Sequence, residues 1–326
     1  MFRLSTVNPF VTMDAVTHPT ARSTVDLALL GVAVTWGSSY LAAKDVVPTD
    51  GVFAFLVLRF ALASIGLAVL LAPRLRGITR HELACGTAFG SILSVVLVLE
   101  TFGVTRTSAA NAGLIMSLTI VLTPLLERRV SRGFYVAAAI ALAGVALLTQ
   151  GGGFATPSLG DLLILLAAVA RSVHVTVIAR VSEGRTLDSA RVTLVQLCTA
   201  LGVFATLSTC TGRGVVEFVS GMGVRSWLLT GYLALACTVF AFAVQMWAAR
   251  RTSAARVSLL LGTEPLWAAA FGVLLAGDPV TAVGVLGALL ILVGVNRAQA
   301  ADVSPGAAPR RFRQAAGCDR PRPTSS

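Results

Sequence analysis

The chain has 326 residues, 56% of them hydrophobic and only 13% charged, with a mean hydropathy of +0.82. Soluble domains carry about a quarter charged residues and disordered chains are poor in apolar ones, so the composition argues against a soluble enzyme and excludes disorder. The net charge of +11 would suit a nucleic-acid binder, but Lys44 is the sole lysine and the arginines lie in short tracts between apolar runs. No basic domain interleaved with aromatics is available to grip a backbone, and no nucleic-acid partner is expected.

A membrane helix needs about 20 mostly apolar residues. Residues 1–24 read as a polar cytoplasmic tail without the apolar core and small-residue cleavage site of a signal peptide, and Met13 is a second candidate start. Ten helices are then predicted in chain order. The first, 25–44, carries Trp36, Ser39 and Tyr40; the second, 52–72, carries Arg59; the third, 83–103, carries Ser91 and Ser94, with Glu100 near its outer end. The fourth, 107–126, contains Ser108, Asn111 and Pro124, and the fifth is 133–150. The sixth, 160–179, carries Arg171 and His174, the seventh is 190–210, and the eighth, 226–247, carries Thr238, Phe242 and Gln245. The ninth, 252–276, contains Glu264-Pro265, and the tenth is 280–296. Residues 298–326, rich in Pro, Arg, Ala and Ser, read as a disordered basic cytoplasmic tail.

Charge distribution tests this segmentation separately. With the N-terminus in the cytoplasm, twenty of the 26 basic residues fall on the cytoplasmic side. Four, Lys44, Arg106, Arg213 and Arg225, fall on the other, and Arg59 and Arg171 lie within spans. The expectation is a multi-pass protein of the cell (inner) membrane with both termini cytoplasmic.

An internal repeat is also legible. Arg106-Thr107-Ser108-Ala109-Ala110 recurs as Arg251-Thr252-Ser253-Ala254-Ala255, and Leu142-Ala143-Gly144-Val145 is echoed by Leu292-Val293-Gly294-Val295. Asp26 before the first helix matches Asp161 before the sixth. Each copy, 25–150 and 160–297, would hold five helices, and an odd number inserts the second copy upside down. The fold class expected is an all-α integral membrane protein of ten transmembrane helices in two inverted five-helix repeats.

Enzyme motifs do not complete themselves. His81-Glu82 lacks the second histidine of a zinc protease and reads as a solvated helix cap, and Gly151-Gly152-Gly153 lacks the Gly-Lys-Ser/Thr of a phosphate loop. Gly277-Asp278-Pro279 reads as a turn. Cys85, Cys198, Cys210, Cys237 and Cys318 lie apart, with no CxxC pair, and read as small core residues rather than metal ligands or disulfides. No enzyme, metal or cofactor is expected, and without a nucleotide site the favoured energy source is a gradient, facilitated movement or a partner subunit.

Buried ionisable residues say more, because a charge at mid-bilayer costs roughly 2.5–3.5 kcal/mol on insertion scales. Arg59, Arg171, His174 and Glu264 meet that description, and Arg171 and His174, three apart, share a helix face. The two arginines and two glutamates, Glu100 and Glu264, either neutralise one another or line a polar cavity for a charged or zwitterionic solute, and His174 is equally a neutral core residue. Pro265 removes a backbone donor and should kink the ninth helix, as Pro124 does in the fourth. Glu264 beside that kink is a candidate for the gate or for proton coupling, with a fixed Glu264–arginine pair as the other reading. Gln245 and the aromatic pair Trp36 and Tyr40 are further cavity candidates, with Ser39 on the same side of the first helix.

Several of these stretches together resemble EamA-type transporters of the drug/metabolite transporter superfamily. They are Trp36-Gly37-Ser38-Ser39-Tyr40, Leu58-Arg59-Phe60, the two Arg-Thr-Ser-Ala-Ala entrances, Gly160-Asp161, Gln196, Thr238 with Gln245, and Thr263-Glu264-Pro265-Leu266-Trp267. The resemblance covers about residues 25–297 and implies a ten-helix inverted-repeat carrier with a central cavity, often exporting amino acids, related metabolites or drugs. Two departures stand out: Ile120 lies where Pro265 would align, and Arg171-Ser172 replaces the Trp-Gly of the first copy. A cavity arginine suits an anionic or carboxylate-bearing solute. The expected function is therefore export of a small metabolite such as an amino acid, with membrane lipid around it and a homodimer left open. Uptake or lipid-linked sugar flipping is the alternative, ahead of an intramembrane enzyme or receptor.

Overall fold

The computed structural model describes residues 19–127, 132–148, 158–182, 187–210, 212–249 and 260–302, and among them every regular element is helical. The helices are α1 (Pro19–Val46), α2 (Val52–Leu71), α3 (Arg80–Val104), α4 (Ala109–Met116), α5 (Thr119–Glu127), α6 (Arg132–Leu148), α7 (Leu159–Ser182), α8 (Ser189–Cys210), α9 (Val215–Ser220), α10 (Val224–Gly231), α11 (Ala241–Ala249), α12 (Glu264–Ala276) and α13 (Ala282–Asp302). A 3-10 turn, Ala72–Gly77, follows α2, and a π-helical stretch, Tyr232–Phe240, joins α10 to α11.

Among the described residues, seven segments are long and apolar enough to cross a membrane: Thr24–Val46, Val52–Leu71, Arg80–Val104, Ala109–Leu126, Leu159–Ile178, Ser189–Cys210 and Val224–Gln245. Gly133–Leu147, Glu264–Ala276 and Ala282–Arg297 are shorter apolar helices. Helix α13 runs past Arg297 to Asp302, into what the sequence reads as tail, because Ala298, Ala300 and Ala301 are strong helix formers. The short α9 was not anticipated. The second Arg-Thr-Ser-Ala-Ala copy, both Arg tracts around 128–131 and 250–256, and Cys318 lie outside the described residues. Cys85 and Cys237 are buried as expected, whereas Cys198 and Cys210 are exposed on the helical surface.

Two predicted helices are broken rather than continuous. The fourth stops at Met116 and restarts at Thr119, and the ninth shows helix at Leu260–Leu261, a turn, and a restart at Glu264. Leu118 N–H donates to the Ile115 carbonyl (3.1 Å) and Val121 N–H to Leu118 (2.9 Å). Exactly the same three-residue bonds recur 145 positions on: Thr263 N–H to Leu260 (3.2 Å) and Leu266 N–H to Thr263 (3.0 Å). Hydroxyls hold both turns, since Ser117 donates to the Leu114 carbonyl (2.6 Å) and Thr263 to that of Leu260 (2.7 Å). Pro265 thus kinks nothing in mid-helix; it sits in the first turn of α12, where a missing N–H is harmless. Pro124 does lie inside α5.

The most extensive packing joins α6 and α13. A Cβ on Gly144 would lie 2.6 Å from the Gly287 carbonyl oxygen and from Ile291 N, and one on Gly294 would lie 2.7 Å from the Ala137 oxygen and 2.6 Å from Ala141 N. Each contact is the other displaced by 150 residues, so the helices pack antiparallel about a local two-fold, as small residues permit in membranes. Elsewhere α3 packs on α7 and α8, α2 on α8, and α12 on α1 and α4.

Candidate functional site

On α1, Trp36 and Tyr40 stand one turn apart on one face. The Tyr40 hydroxyl donates to Glu264 Oε1 (3.1 Å), and Trp36 Nε1 donates to the Cys237 carbonyl (2.9 Å) while its ring meets Phe242 edge-on at 6.3 Å. That carbonyl belongs to the π-helical stretch, a device that turns backbone groups away from the regular ladder. Between the two aromatics, Gly37 lets α12 approach: a Cβ there would lie 2.6 Å from Trp267 Cβ and 2.9 Å from the Glu264 carbonyl oxygen. Tyr40 itself is 4% exposed.

Charges converge on this contact. Arg171 Nη2 pairs with Glu100 Oε2 at 3.1 Å, and Glu264, Glu100 and Arg171 all act electrostatically on Tyr40. Arg59 lies within electrostatic reach of Glu100, Arg171 and Cys237, and its buried Nε has no hydrogen-bond partner among the described residues. Two arginines and two carboxylates are therefore gathered from α2, α3, α7 and α12. One arginine and one carboxylate are paired. Arg59 and Glu264 form no ion pair among the described residues.

The structure brings Trp36, Tyr40, Arg59, Arg171 and Glu264 together. It joins Glu100 to them, the second carboxylate of the mutual-neutralisation reading, and brings in Cys237, which reads from sequence as core. Ser39 is spent locally, donating to the Trp36 carbonyl (2.6 Å). His174 is 6% exposed, against the Gln196 side chain and the Phe89 backbone between α3, α7 and α8, which matches the core reading. Gln245 lies half-buried on α11, three residues beyond Phe242. Thr238 donates within its own helix to the Leu233 carbonyl (3.0 Å).

Other polar residues do structural work at helix ends. Ser108 caps α4 by accepting from Asn111 N (3.0 Å), Asp161 accepts from Thr107 Oγ1 and Asn111 Nδ2, and Asp278 Oδ2 accepts from Ala110 N (3.0 Å). Two carboxylates thus cover the positive end of one helix, and Ser108 and Asn111 belong to that cap rather than to a cavity. Glu82 is a cap, as expected, completing a capping box with Thr79, but it is buried rather than solvated. It accepts from Asp188 N (3.1 Å) and lies 3.8 Å from Arg191, which joins the starts of α3 and α8. Among the described residues no group of three His, Cys, Asp or Glu side chains is placed to hold a metal ion.

Comparison with known proteins assigns this arrangement. The model of the EamA-like transporter family matches residues 23–150 and again 158–296. The chain belongs to the EamA-like transporter family. An uncharacterized transporter of Archaeoglobus fulgidus is 25% identical over 276 residues, covering 83% of this chain and 84% of that one. A crystal structure of a protein at 18% identity superposes with a TM-score of 0.56 over 85% of this chain and 96% of the other, a likeness of fold alone. This EamA-like chain is a membrane transporter, and both family matches contribute to the charged cluster: α1, α2 and α3 from the first, α7 and α12 from the second.

The Arg171–Glu100 pair is expected to hold the bundle together. Arg171→Ala leaves Glu100 without its cation and should cost about 2 kcal/mol, low for a buried pair because the guanidinium is 36% exposed. Membrane abundance and transport should fall in parallel, measured by quantitative blotting beside solute flux. A variant at full abundance without flux would place Arg171 on the solute instead.

Proposed function

We propose that the protein exports a small metabolite bearing a carboxylate, such as an amino acid, from a midplane site between two inverted five-helix repeats, 25–150 and 160–297. The observation that carries the reading is the unequal pairing of the cluster: Arg171 is neutralised by Glu100, while Arg59 and Glu264 form no ion pair among the described residues. A cation and a carboxylate without ion-pair partners among the described residues, both within electrostatic reach of Cys237, complement a zwitterion. The two helix breaks support it, because half-helix N-termini at mid-membrane favour anionic groups. The antiparallel α6–α13 seam supports the inversion of the second repeat. No catalytic step is required of any residue, and uptake instead of export would use the same site.

Glu264 is the proposed coupling group. A carboxyl in apolar surroundings holds a proton more readily, and an arginine or arriving ammonium favours its release. Glu264→Gln keeps the Tyr40 hydrogen-bond acceptor and removes the exchangeable proton. In proteoliposomes, flux of the variant should no longer respond to an imposed proton gradient; an unchanged response would remove Glu264 from coupling.

Ten spans with both termini cytoplasmic complete the proposal. Cysteine substitutions at Ser131 and Ser326 should be labelled only from the cytoplasmic side by a membrane-impermeant maleimide. Labelling of either from outside would overturn the topology.

A further inference from the structure

On the opposite face of α1 from Trp36 and Tyr40 lies a second recess. Val34, Ser38, Leu41 and Asp45 recur at helical spacing about half a turn away from Tyr40. Together with α10 and α12 they enclose a cavity of about 870 Å³, within the usual ~300–1,000 Å³ of small-molecule sites. Its walls are Leu41, Leu229, Phe271 and Leu275. Its floor is the Ser38 and Tyr232 hydroxyls, which bond each other at 2.6 Å and so accept apolar cover without losing a partner.

The rim is charged, and its sign is unbalanced. Lys44 and Arg225 line it against one carboxylate, Asp45, which Arg225 reaches at 3.0 Å while remaining 80% exposed. Lys44 has no ion-pair partner among the described residues. Between Arg225 and Leu229 in sequence, Trp227 is 40% exposed and Leu228 69%, an aromatic and an aliphatic side chain of the kind found where a membrane interface meets hydrocarbon.

We propose that this groove binds an anionic glycerophospholipid, one acyl chain lying on Leu41, Leu229, Phe271 and Leu275 and the headgroup phosphate held by Lys44 and Arg225. An apolar trough ending in Lys44 and the Arg225–Asp45 pair, one net positive charge, complements an amphiphile with a negative head; a soluble anion leaves the trough bare, and a neutral lipid leaves Lys44 unmatched. The site stands apart from the Tyr40–Glu264 cluster and does not rest on the transport reading.

Native mass spectrometry of the full chain, released from mild detergent with equal dioleoylphosphatidylglycerol and dioleoylphosphatidylcholine, tests it. The wild type should retain the phosphatidylglycerol adduct roughly fivefold better, as expected for one net positive charge at an anionic headgroup. Lys44→Gln/Arg225→Gln should erase that preference, and both residues are exposed enough to leave folding intact. Leu229→Trp, which fills the trough, should reduce retention of both lipids, with size-exclusion elution confirming the fold. Equal retention of the two lipids by the wild type, or a preference that survives the double glutamine variant, would overturn the proposal.

Discussion

Replacing Arg59 by Gln is expected to lower solute flux about a hundredfold with membrane abundance near wild type. The magnitude is that of removing one partner from a desolvated charge contact, about 2–5 kcal/mol. Abundance should hold because Arg59 forms no ion pair among the described residues, and its buried Nε has no hydrogen-bond partner among them. Arg59→Lys should recover part of the flux, since it restores charge but not the planar fork. Counterflow with a panel of labelled amino acids in proteoliposomes gives the measurement. Full flux in Arg59→Gln, or loss of the protein itself, would refute a solute-binding Arg59.

Gly37→Val should do the reverse and lower protein stability and flux together. The new Cβ would lie 2.6 Å from Trp267 Cβ, 2.8 Å from Ala268 N and 2.9 Å from the Glu264 carbonyl oxygen, and two of those three atoms are backbone that cannot step aside. Overpacking of this kind costs about 1–3 kcal/mol, a fall in Tm of about 5 °C. Separating α1 from α12 also draws Tyr40 off Glu264. Gly31, on the same helix with nothing within 4 Å of its missing Cβ, is the control, and Gly31→Ala should be silent. Thermal unfolding in detergent followed by fluorescence distinguishes them, and a stable Gly37→Val would mean the crossing is looser than drawn.

The apolar runs were legible because about 20 residues of hydrocarbon leave a signal that single polar residues do not erase. The breaks at Ser117–Leu118 and Gly262–Thr263 were not, since a tight turn of apolar and hydroxyl residues changes hydropathy little. Pro265 drew attention to the right helix and the wrong residue, three positions past the break. Arg59, Arg171 and Glu264 were legible as costly charges, but which arginine is already satisfied depends on Glu100 of α3, and no spacing within one helix reports a partner on another. Glu82 shows the converse error: a carboxylate at a helix entrance reads as a solvated cap, when the Asp188 N–H at a neighbouring helix start also bonds it.

The reciprocal glycines of α6 and α13 bear on how such a carrier chooses a side. A seam whose glycine–backbone contacts are matched by their own two-fold image would weigh equally on an outward-open and an inward-open arrangement, joining the halves without favouring either state. Any resting preference has to arise where the copies differ, at Arg171 in place of the Trp36 motif and at Pro265 in place of Ile120. On the proposed export reading, directionality would then be a property of its asymmetries, which the symmetric seam leaves decisive.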